Sequence, residues 1–280
     1  MKSIVAIVTA LVFAASSAAA AQLQEKGRPD RTVHELVLND GSRLYGEIEA
    51  ETDTEIVFRT TAGATVHAPR SHVVSLKAVA GRMVDGEFRR DDPNSTRLLF
   101  GPTGRAIPRG RVYLGVYEAL MPFVQVGVTD RFSIGGGTPL IFDFSDWDRL
   151  YWITPKLQVY SGGRTHAAVG LFHGFAGDGN AGIAYGVVTR ETSGGAVTVG
   201  AGMGYTSDGG RGGVLMIGAE APARRNIKWV TENYFWKSTA VTSGGFRFFG
   251  EHLSADLAVA IAFTDDGPFA FPVVNFVYHF

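Results

Sequence analysis

From Leu253 to Phe263, apolar and small residues alternate without a break. Leu253, Ala255, Leu257, Val259, Ile261 and Phe263 fall on one face, and Ser254, Asp256, Ala258, Ala260 and Ala262 on the other. Successive side chains of a strand point to opposite faces, so a period of two reads as a strand. The pattern recurs where Val197, Val199, Ala201, Met203 and Tyr205 alternate with Thr198, Gly200, Gly202 and Gly204. It also recurs where Ala181, Ile183, Tyr185 and Val187 alternate with Gly182, Ala184, Gly186 and, further on, Arg190. A soluble sandwich would turn its apolar face inward and load the other with Lys, Glu and Asp. Here the second face is mostly Gly, Ala, Ser and Thr with isolated charges. That composition fits a crowded lumen behind an apolar outer wall, and repeated alternating spans of about ten residues are the pattern of a membrane-spanning barrel.

Composition narrows the choice further. No apolar run after the N-terminus reaches the roughly 20 residues of a spanning helix, and mean hydropathy is only +0.08. If the chain crosses a membrane it does so as strands, whose backbone hydrogen bonds close against each other. The 36 glycines suit that reading better than a helical enzyme. There is no cysteine, hence no disulfide framework and no thiolate metal site. A net charge of -1 gives no global field for nucleic acid. The start, Met1-Lys2 followed by an apolar run from Ile4 to Ala15, two serines and an alanine string, reads as a cleaved signal peptide over residues 1–21.

Short β runs separated by Asp40-Gly41 and Ala62-Gly63 turns predict hairpins over residues 32–78. About five short strands in so little chain loosely resemble an SH3-like or Sm-like module. Residues 79–110 read as a connector. Asp91-Asp92-Pro93-Asn94-Ser95-Thr96 and Gly101-Pro102-Thr103-Gly104 are turn chemistry, while Leu98, Leu99 and Phe100 argue for docking. In that reading the connector tucks into the barrel mouth, with Arg97 and Arg105 pairing with lumenal carboxylates. In the bland alternative it is a solvated linker. From residue 111 to 280 the chain reads as strands and turns, about 12 strands in all, with an even number expected. Residues 139–148 form a longer loop. Tyr151 to Tyr160 reads as one strand, and the many aromatics at strand ends would build interfacial girdles.

The closing stretch is Phe271-Pro272-Val273-Val274-Asn275-Phe276-Val277-Tyr278-His279-Phe280. Counting back in twos from the terminal Phe280 gives Tyr278, Phe276 and Val274; the other face is mixed. This resembles the terminal signature of outer-membrane β-barrels, and implies outer-membrane lipid and the barrel-assembly machinery as partners. Asp92-Pro93-Asn94-Ser95-Thr96-Arg97-Leu98-Leu99-Phe100, Gly101-Pro102-Thr103-Gly104-Arg105, Gly127-Val128-Thr129-Asp130-Arg131 and Gly244-Gly245-Phe246-Arg247-Phe248-Phe249-Gly250 resemble a family of exported outer-membrane barrels with a small N-terminal β module. The resemblance implies fold and an outer-membrane location in a Gram-negative envelope, with the N-terminal module in the periplasm. It carries no catalytic residue.

Lumen-polar candidates follow from the alternation: Lys156, Arg190, Glu220, Lys228, Glu232, Arg247 and Asp256, with Gln125, Ser133, Gln158, Asn275 and His279 beside them. Buried charges need partners, so Lys228 with Glu220 and Arg247 with Asp256 are expected pairs. They would hold a polar plug or line a narrow pore. No catalytic set stands out. A Gly-x-Ser-x-Gly elbow is absent, His67 and His72 have no third ligand near them in the sequence, and no cofactor motif opens a helix. The sequence therefore predicts an all-β, antiparallel transmembrane barrel behind a small β module, with a structural or narrow-pore, small-solute transport role. Two alternatives are a lipid-modifying barrel enzyme and a soluble periplasmic β-rich binding protein. A periplasmic partner for the N-terminal module is compatible with each.

Overall fold

A computed structural model describes residues 33–84, 87–140, 150–177 and 179–280. The expected signal peptide and the core of the 139–148 loop lie outside the described residues. The chain divides into two compact units, Met1–Ala80 and Gly81–Phe280.

The first unit is a five-stranded antiparallel sheet. Its strands are β1 (His34–Leu38), β2 (Arg43–Glu51), β3 (Glu55–Thr60), β4 (Thr65–Pro69) and β5 (Val73–Ala78), with a single 3-10 turn at Arg70–His72. They lie in the order β4-β3-β2-β1-β5. Gly41 takes φ +84° at the first turn, where the Ser42 amide donates to the Asp40 carboxylate at 2.8 Å. An L side chain rarely adopts that backbone, which is why the Asp-Gly pair marks the turn. Leu36, Ile56, Phe58 and Ala68 make the core. Glu35, on the other face of β1 from Leu36, is also buried and is held by the Tyr45 hydroxyl at 2.7 Å and by Arg43 at 3.5 Å.

The second unit opens with a hairpin, β6 (Gly81–Val84) and β7 (Glu87–Arg90). After an irregular segment the strands continue as β8 (Val112–Tyr117), β9 (Met121–Gly127), β10 (Phe132–Gly137), β11 (Tyr151–Ile153), β12 (Lys156–Gly162), β13 (Thr165–Ala176) and β14 (Gly179–Thr192). They end with β15 (Gly195–Thr206), β16 (Arg211–Arg224), β17 (Ile227–Phe235), β18 (Ala240–Phe249), β19 (Leu253–Thr264) and β20 (Gly267–His279). Both β11 and β12 lie between β10 and β13, so they form one interrupted stave. The strand expected from Tyr151 to Tyr160 is broken at Thr154-Pro155, where Pro155 cannot donate to the ladder. β20 pairs with β8, His279 opposite Tyr113 and Asn275 opposite Tyr117. The thirteen strands thus close into a barrel of twelve staves, antiparallel throughout.

Closure leaves no unpaired edge, and alternation sorts the faces. On β19, Leu257, Val259, Ile261 and Phe263 are exposed outside, while Ser254, Asp256, Ala260 and Ala262 are buried inside. On β20, Phe276 and Tyr278 point out, as does the terminal Phe280, with Asn275, Val277 and His279 between them facing in. In one cluster of the barrel core Leu98 and Leu99 from the irregular segment pack against Val187, Met216, Val230 and Val273 of the wall, and in a second Ile107 of the segment joins Tyr113, Phe123, Trp152 and Val277.

One face assignment is corrected. Ile183, Tyr185 and Val187 were expected on the outer wall of β14, but they face inward. Val187 and Tyr185 pack against the leucine cluster, and strand parity then sends their neighbours outward. Gly186 and Ala184 accordingly lie outside, and Val188 is exposed.

Candidate functional site

The irregular segment 91–111 enters the barrel, and its fold starts locally. The Asn94 amide donates to the Asp92 carboxylate at 2.8 Å, an Asx-type turn around Pro93. Arg97 bridges to Pro102, the Leu98 amide reaches the Gly101 carbonyl at 2.8 Å, and the Thr103 amide reaches Thr96 at 3.0 Å. The result is a miniature hairpin with Leu98 and Leu99 at its tip, both fully buried. An irregular backbone inside a barrel leaves donors and acceptors that must find partners. The wall supplies them. Glu232 accepts from the Phe100 and Gly101 amides, each at 3.0 Å. Asn275 donates to the Leu99 carbonyl at 3.0 Å, and Gln158 to the Gly104 carbonyl at 2.9 Å. The Gly104 amide donates to the Thr189 hydroxyl at 2.8 Å, and Tyr113 donates to the Pro93 carbonyl at 2.8 Å.

Glycines let the segment approach the wall. A β carbon on Gly104 would come within 2.2 Å of the His166 carbonyl oxygen. One on Gly218 would come within 2.2 Å of the Leu98 side chain. Neither position tolerates a larger residue without displacement.

Charged side chains complete the closure. Arg247 is fully buried and grips Asp256 with its Nε and with Nη2 at 3.2 Å. Its Nη1 reaches Asp92 at 3.0 Å and the Asn94 carbonyl at 2.8 Å, and its Nη2 donates to the Leu98 carbonyl. Arg97 pairs with the same Asp256 at 2.9 Å and lies 5.4 Å from the Tyr117 ring centre. Lys228 bridges Asp92 and Glu220. Arg105 spans Glu220 at 2.6 Å and Glu191 at 2.9 Å. Burial pushes the Asp92 carboxyl up, but Lys228 and Arg247 outweigh it and hold the group well below the usual carboxylate range. Burial likewise opposes the charge on Arg105, and Glu220 and Glu191 more than restore it.

Six of the lumen-polar residues read from the sequence meet here. Lys156, Glu220, Lys228, Glu232, Arg247 and Asp256 are all buried and inward, each touching the segment directly. Arg190 does not join them. It is exposed on the outer wall, where Nη1 donates to Thr165 on β13. With Thr189 turned inward to hold Gly104, parity places Arg190 outside, near the turn where a long cationic side chain can reach past apolar surface. The sequence reading missed Asp92, taken only as turn chemistry, and Thr189 and Glu191. An acidic residue opening a Pro-Asn turn carries no mark of burial in the sequence.

One pair invites an enzymatic reading. Ser254 Oγ and His279 Nε2 approach to 3.4 Å. Both are buried beneath the segment, and among the described residues His279 Nδ1 has no partner to orient the ring as a general base.

No protein-family model matches the chain, and no curated protein sequence matches it. Among solved structures it resembles the KdgM porin, free and in complex with disordered oligogalacturonate. In each case identity is 8% and the TM-score 0.47, over 61% of this chain and 98% of the other. It also resembles OmpTdeltaL8, a loop L8 deletion mutant of OmpT, an outer membrane protein of Vibrio cholerae. There identity is 10% and the TM-score 0.35, over 89% of this chain and 97% of the other.

Proposed function

We propose that this chain is an outer-membrane β-barrel with a structural role, its lumen closed by its own connector. The observation that carries the reading is the pairing of Arg247 with both Asp256 of the wall and Asp92 of the connector. Together with Lys228, Arg97 and Arg105 this pairing occupies the lumen with matched charge, and an open aqueous pore would leave those groups in water. The apolar outer wall supports lipid as its surroundings, and the aromatic end of β20 supports delivery by the barrel-assembly machinery. The signal peptide over residues 1–21 belongs to the same reading. So does the placement of the N-terminal unit in the periplasm as an SH3- or Sm-like module that meets a periplasmic partner, a reading supported by the pairing of β1 with both β2 and β5. Small-solute transport in this barrel requires the connector to shift.

Planar-bilayer recording tests the reading. The wild-type barrel is expected to be silent. A variant lacking residues 92–105, shown to be folded by its heat-modifiable gel mobility, is expected to conduct. Steady wild-type conductance would overturn the closed lumen.

A further inference from the structure

Beyond the connector, toward the barrel end opposite Phe280, the described residues leave part of the lumen open. A cavity of about 410 Å³ lies there, floored by Thr96, Arg97, Phe100 and Pro102 of the connector. Its size is that of a small-molecule site. At the rim, inward-facing Phe172 and Trp236 are 42% and 39% exposed, so the cavity opens at that end.

Charge and lining select the occupant. Among the described residues no Asp or Glu lines the cavity, and its two cations, Arg97 and Lys156, are already engaged. The Lys156 ammonium has three protons, and it donates to the Thr96, Thr103 and Arg105 carbonyls at 3.0, 3.4 and 2.8 Å. It therefore shows the cavity its methylene stem. Arg97 is turned to Asp256 and to the Leu98 carbonyl. A charged ligand would find no free counter-charge there, and burying it would be costly. One wall is aromatic, with Tyr117 and Phe123 stacked at 4.2 Å and an interplanar angle of 12°. Six staves round the barrel from Tyr117, Gly200 and Gly202 are covered by the aliphatic ends of Val187, Met216, Ile183 and Val214, which line the cavity with them. The lining is thus aromatic on one side and aliphatic on the other, a surface suited to an apolar ligand. Among the described residues the Tyr185 hydroxyl on this lining has no hydrogen-bond partner, and neither do the Tyr117 and Ser133 hydroxyls.

We propose that this cavity binds a neutral, largely apolar small molecule carrying a hydrogen-bonding group, which Tyr185 recognises.

The test is equilibrium dialysis of 1-naphthol against the full mature chain in lipid nanodiscs, with empty nanodiscs as baseline. One saturable site per barrel is expected above baseline. Filling the cavity with Val214→Trp should weaken it by about tenfold or more, with Ile183→Trp as a second filling variant should the first fail to fold. Tyr185→Phe should cut the preference for 1-naphthol over naphthalene by about fivefold, the loss of one neutral hydrogen bond, while leaving naphthalene binding in place. Lauric acid should not displace the probe. Uptake equal to empty discs, binding unchanged in a folded filling variant, or displacement by lauric acid would each overturn the proposal, the last in favour of an acyl amphiphile.

Discussion

Leu98 of the connector rests on Gly218 of β16 so closely that a β carbon there would lie 2.2 Å from the leucine Cδ1. Wall and connector are therefore fitted to each other residue by residue. Gly218→Val must displace Leu98 from a fully buried site, and overpacking of this kind costs about 1–3 kcal/mol. The thermal midpoint of the heat-modifiable band should fall accordingly. Gly186→Ala, where nothing lies within 4 Å of the added carbon, should leave it unchanged.

Arg247 holds two carboxylates from opposite parts of the sequence, Asp92 and Asp256. Arg247→Met removes the cation and leaves both buried beside Lys228 and Arg97 alone. Breaking a buried ion pair on one side costs about 3–5 kcal/mol. Adding Asp256→Asn should recover part of that loss in urea unfolding from detergent, because the uncompensated charge goes with it. Equal stability of the single and double variants would argue against this coupling.

Asp92 supplies a pH dependence. Its folded carboxyl sits below the unfolded value of about 3.9. Its contribution is thus complete above that unfolded value and is lost as pH falls through the lower folded value. Wild-type stability should be insensitive to this group from about pH 5 to 8 and should decline only below about pH 4. Asp92→Asn should be less stable at neutral pH and lose less on acidification. An acid slope identical to wild type would contradict the pairing.

The outer wall makes the membrane reading quantitative. Val259 lies mid-strand on β19 and is 54% exposed. In lipid, Val259→Arg should destabilise folding into vesicles by about 2–4 kcal/mol, the cost of a cation near the bilayer midplane. Were that surface in water, the same change would be close to neutral.

The barrel was legible because alternation is a local property. Leu257, Val259 and Ile261 announce an outer face whatever their neighbours do. The inward charges Lys228, Arg247 and Asp256 could be read for the same reason. What failed was parity on β14. There both faces carry small or apolar residues, so Tyr185 and Val187 could be assigned to either side, and Arg190 went with the wrong one. The choice is made by Leu98 and Leu99, nearly ninety residues earlier. Asp92 and Thr189 were hidden likewise, since their roles exist only once the connector is inside. Gly104 and Gly218 look like ordinary turn and strand glycines until the opposing backbone and Leu98 arrive.

The absence of native cysteine allows the central claim to be read from one engineered thiol. Leu98→Cys in the folded barrel, in nanodiscs, should resist a water-soluble maleimide until denatured, while Ser207→Cys, in the exposed turn between β15 and β16, should react at once. Protection of position 98 is the result expected of a lumen closed by its own connector. Prompt labelling there at a rate matching position 207 would mean that the connector lies outside the barrel, and the closed-lumen account would fall.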